Sequence, residues 1–147
     1  MFKIDYRVDE VGFADVVVLT AEDIGYNIML GSIVLHSSES RIELDWDWIP
    51  LLDFALGMKR AVGELQWNGQ SATFFEFTEN AETLILIRNE ARVRVSRSGS
   101  AQAVETTLTL LELAVRDLCL RLTEQVRSLI SGELPEVLNR HLANLND

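Results

Sequence analysis

With 147 residues, 48% of them hydrophobic and few Gly or Pro, the chain has the size and composition of a single folded domain, residues 1–147, rather than of a disordered segment. The formal charge of -10, from 23 acidic and 13 basic residues, argues against nucleic-acid phosphate or anionic lipid as a partner and favours a basic one. No apolar run approaches the ~20 residues of a spanning helix, the start MFKIDYRVDE lacks a signal-peptide core, and a lone cysteine fits a reducing compartment, so a cytoplasmic protein is expected.

Phe2, Ile4, Tyr6 and Val8 alternate with Lys3, Asp5, Arg7 and Asp9, which is the period of a strand with one buried face. After a turn at Gly12, FADVVVLT predicts a second strand and YNIMLGSIVL a third, with Gly31 as a bulge; RIEL predicts a short fourth. From about Trp48 to Val62 the period becomes helical through Leu51, Leu52, Ala55, Met58 and Val62. Pro50 suits the first turn, Asp47 is placed to cap it, Lys59 and Arg60 suit the last turn, and Gly63 reads as the stop.

QWNGQSATFFEF, ETLILIR and ARVRVSR follow as a meander of strands, joined by turns at Glu-Asn-Ala and Asn-Glu. A long helix is predicted from about Ala103 to Ile130, and Pro135 opens a short terminal one. The order predicts an α+β fold: one antiparallel sheet of about six to seven strands, packed with a middle helix, a long helix and a short terminal helix.

The run RIELDWDWIP is the most conspicuous local pattern. Carboxylates two apart on extended chain point the same way, as a divalent cation or an acid pair would need, but no phosphate cradle or further ligand accompanies Asp45 and Asp47. The favoured reading is a helix entry, with Trp46 or Trp48 packed beneath the sheet. The two histidines, His36 and His141, form no ligand pair with each other or with Cys119, and Ser37, Ser38 and Ser40 lack a nucleophile elbow. No phosphate loop occurs. Cys119 reads as a small buried hydrophobe. No catalytic residue, metal or cofactor is therefore expected. Arg92 and Arg94 share one face of a strand, which suits phosphate, but a cross-strand ladder with Glu76 or Glu82 is preferred.

Between Asp5 and Asp53 eleven acids and two arginines leave a balance of -9, nearly the whole net charge. On the long helix, Val104, Leu108, Leu111, Val115, Leu118, Leu122, Val126 and Leu129 form a core stripe; Leu113 and Leu120 lie almost opposite it, with Leu110 between. This second strip needs cover, from the terminal helix, a curled sheet or a second subunit, and the dimer is slightly favoured.

The acidic N-terminal strands, the entry WIPLLDFA, the meander through ETLILIRNEARVRVS and the opening VETTLTLLELAVRDL resemble the layout of small uncharacterised bacterial proteins, some of them proposed toxin-immunity proteins. That resemblance implies a cytosolic α+β protein without catalysis and carries no functional residue over. From charge and pattern, the expected function is a non-enzymatic inhibitor of a basic, toxin-like protein. Glu22, Asp23, Glu43 and Asp45 would meet the partner, with Trp46 or Trp48 as anchor. The alternatives are a homodimeric assembly module contacting through Leu110, Leu113 and Leu120 and, less favoured, an enzyme using the Asp-Trp-Asp carboxylates.

Overall fold

A computed structural model describes residues 1–11, 28–67, 70–77, 81–129, 134 and 136–147, the Asp47 side chain excepted. Its class is α+β. The elements are β1 (Phe2–Val11), β2 (Met29–Ser37), β3 (Arg41–Pro50), α1 (Leu51–Gln66), β4 (Ala72–Glu76), β5 (Thr83–Asn89), β6 (Arg92–Arg97), β7 (Ala103–Thr107), α2 (Leu108–Leu129) and α3 (Glu136–Asn146). The expected Gly12 turn and FADVVVLT strand lie outside the described residues, as does part of the Glu-Asn-Ala turn.

The seven described strands form two antiparallel sheets, β1-β2-β3 and β4-β5-β6-β7, where one was expected. The physical reason lies at Glu43 on the edge of β3. Its backbone N–H donates to the Gln102 side-chain carbonyl (3.1 Å), and its carbonyl accepts from the Arg97 guanidinium (2.9 Å). Side chains satisfy the groups that a continuous ladder with β7 would otherwise have used. Buried residues of both sheets and all three helices nevertheless make one hydrophobic core, with α1 against α2 and β4, and α2 against β1.

Three boundaries depart from the sequence expectation. RIEL extends into the ten-residue β3, so α1 starts at Leu51, and its cap position falls on Pro50, three residues beyond Asp47 and without a side-chain cap hydrogen bond. Gly63 does not stop α1: the helix runs on to Gln66, and the Trp67 N–H closes it on the Gly63 carbonyl (2.8 Å). Lys59 and Arg60 therefore sit inside the helix. The third departure is β7, cut from the start of the expected long helix. Val104 and Thr106 are buried in the sheet beside Val95 and Val93, and only from Leu108 does the chain coil.

Candidate functional site

The register of β3 explains Asp-Trp-Asp-Trp. Ile33 pairs with Leu44 and Gly31 with Ile49, so the four residues Asp45 to Trp48 stand opposite the single residue Ser32. The motif is a bulge inside a strand, not a helix entry. Gly31 lies where both neighbouring ladders shift register, and a Cβ there would overlap the Arg7 carbonyl of β1, so a residue without a side chain is required.

A bulge re-aims side chains, and here it separates the two tryptophans. Trp46 turns inward: its ring meets Phe77 edge-to-face with centroids 5.0 Å apart, and the Arg97 guanidinium lies over the ring, 5.5 Å from its centroid. Trp48 is 50% exposed, and Asp45 is exposed as well. Arg97 is the hub beneath them. It forms a two-pronged ion pair with Glu82, whose hydrogen bond raises the guanidinium pKa, with the nearby charge of Asp45 acting in the same direction.

The expected partner residues are thus divided. Glu43, Asp45 and Trp48 share β3, with Glu43 half-buried and paired to Arg41 (3.0 Å). Trp46 belongs to the core margin, and Glu22 and Asp23 lie outside the described residues. The acidity of the first sheet is also partly neutralised at contact: Asp5 meets His36 (2.7 Å) and Arg121 (3.4 Å), and Asp9 meets Arg7 (2.7 Å). The hydrogen bond from His36, followed by the charges of His36 and Arg121, lowers the Asp5 pKa against a smaller opposing effect of burial.

The basic stripe is a ladder, with a partner other than those expected: Arg92 and Arg94 reach Glu105 on β7 (3.4 and 3.8 Å), while Glu82 is engaged by Arg97. Cys119 is buried against Ala55, and desolvation pushes its thiol up to about 11, which makes it a packing group. No group of three or more His, Cys, Asp or Glu placed to hold a metal occurs among the described residues, and no described helix is long and apolar enough to cross a membrane.

On α2, Leu113 and Leu120 are 54% and 51% exposed and Leu110 is partly so. The terminal helix α3 does not cover them; it buries Leu138, Leu142 and Leu145 in the main core and ties Asn146 to Thr123 (2.8 Å). Sequence reasoning missed Trp67, 84% exposed, which lines with Leu120 an open groove formed by α1, α2 and the end of α3, because its position at the helix end follows from where α1 stops. No protein-family model, curated protein or solved structure matches this chain.

Proposed function

We propose that this chain is a non-enzymatic binding protein whose β3 bulge docks a basic protein partner, an inhibited toxin-like enzyme being the concrete case. The observation that carries the reading is the separation of the two tryptophans: one fastens the bulge to the core, and the other stands half out of the surface of the same bulge that holds the exposed Asp45. An aromatic side chain is a common hot spot, while the acid and the net charge of -10 favour encounter with a cation. The test is affinity capture from the source cells with wild type beside Trp48→Ala and Asp45→Lys. A basic protein retained by wild type and lost by both variants supports the reading, and identical capture by all three would overturn it.

A second reading, a homodimeric assembly module, is supported by the exposed leucine line of α2, the contact expected for it. Sedimentation of wild type beside Leu113→Glu/Leu120→Glu tests it: a dimer that becomes a folded monomer supports that contact, and a wild-type monomer at micromolar concentration excludes the reading.

A further inference from the structure

The outer edge of β4 offers something the leucine line lacks, a description of what would cover it. The Arg88 N–H donates to the Ser71 carbonyl (2.7 Å) and the Phe77 N–H to the Glu82 carbonyl (3.1 Å). In an antiparallel ladder these bonds fall on alternate residues, so within β4 Thr73 and Phe75 turn their backbone groups toward β5. Ala72, Phe74 and Glu76 turn theirs away from it. Among the described residues no strand pairs there, and the edge opens on a groove bounded by Leu56, Lys59 and Arg60 of α1. The Phe74 carbonyl is held by the Arg60 side chain (3.2 Å). Phe74 is 55% exposed and Ile87, on the neighbouring strand, 48%, giving the outer face of this edge an apolar character.

An extended backbone is the ligand that satisfies alternate N–H and C=O groups at this spacing. We propose that this ligand is β4 of a second copy, paired antiparallel across a two-fold axis at Phe74. That register sets Phe74 against the partner's Phe74 and Ala72 against the partner's Glu76. It uses all three outward-facing residues of each strand. It also places no Glu76 opposite another Glu76 and forms an apolar row from Ile85 through both phenylalanines to the partner's Ile85. Each Glu76 reaches the Ala72 end of its partner strand. Arg60 serves that end, since it pairs with Glu64 (2.6 Å) and Glu64 accepts from Thr73. Arg60 can exchange the Phe74 carbonyl for the incoming carboxylate. The two four-stranded sheets then become one sheet of eight.

This inference rests on the assembly reading and moves its contact from α2 to β4. The test is sedimentation and single-cysteine cross-linking of the full chain. Phe74→Pro removes an N–H that the β4–β5 ladder does not use, so it blocks the edge while leaving the sheet. The wild type is expected at twice its 16.6 kDa and the variant at the single mass, with unchanged circular dichroism. Phe74→Cys should be captured as a covalent dimer by a short bis-maleimide cross-linker, because directly paired residues lie at a Cα separation of about 5.5 Å, which such a linker spans. Native Cys119 is buried and serves as the unreactive background. A wild-type monomer sinks both the assembly reading and the edge. A dimer that survives Phe74→Pro but is split by Leu113→Glu/Leu120→Glu keeps the reading and overturns the edge contact. If Phe74→Pro fails to fold, cross-linking decides, and no Phe74→Cys dimer overturns the proposal.

Discussion

At Gly57 a Cβ would overlap the Phe75 ring, the place where α1 sits closest to β4. Replacing a mid-helix glycine by alanine ordinarily stabilises by about 1 kcal/mol, whereas forcing extra volume into a packed contact costs about 1–3 kcal/mol. Gly57→Ala is expected to lower stability by roughly 1 kcal/mol net in urea unfolding, and a gain would refute the close approach. At His141 burial lowers the imidazole pKa, and its buried Nε2 has no hydrogen-bond partner among the described residues. Above the ordinary value near 6.5 both folded and unfolded states are neutral there; as pH falls below it the unfolded chain takes up the proton first, so stability drops. Wild type should therefore lose more of its urea midpoint between pH 7 and pH 5 than His141→Gln does; equal slopes would contradict the assignment. Neither residue announces its role in the sequence, since each role depends on a neighbour distant along the chain.

Among the elements, strands whose alternation is local were legible: Phe2 and Ile4 in β1 and Val93 and Val95 in β6 are buried as the period requires, whereas the unbroken apolar run of β5 marks a strand without saying which face is buried. The α1 stripe was legible for the same reason. The sequence misled at β3 and β7, where the deciding contacts are remote. Trp46 finds Phe77, and Ile49 rejoins Gly31 beyond the bulge, so the strand continues through residues that look like a capped helix start. Val104 stands at helical spacing from Leu108 and Leu111, yet its partner is Val95 across the sheet. Arg97 joins these elements by touching Glu82, the Glu43 carbonyl and the Trp46 ring. Arg97→Lys keeps the charge but loses the planar fork, and should cost roughly 2 kcal/mol in chemical denaturation. A change within a few tenths would show that the two sheets do not depend on this junction. Within the candidate site, the sequence offers Asp45 and one of two tryptophans, Trp46 or Trp48, without deciding which faces solvent, because the bulge that divides the pair is set by the Gly31 register.

Across the whole molecule, a charge of -10 acts over distances on the order of a Debye length, roughly 8 Å at physiological salt, and so bears on encounter more than on the final fit. If the acidic bulge on β3 meets a basic partner, its charge must act on the rate of encounter. With the basic protein captured by wild type, association and dissociation of the Glu43→Lys/Asp45→Lys variant should be followed by stopped flow across a salt series. Association of the variant is expected to be slowed about tenfold or more at low salt, with dissociation changed far less and the two proteins converging as salt rises. Association rates that are equal at every salt concentration would contradict it.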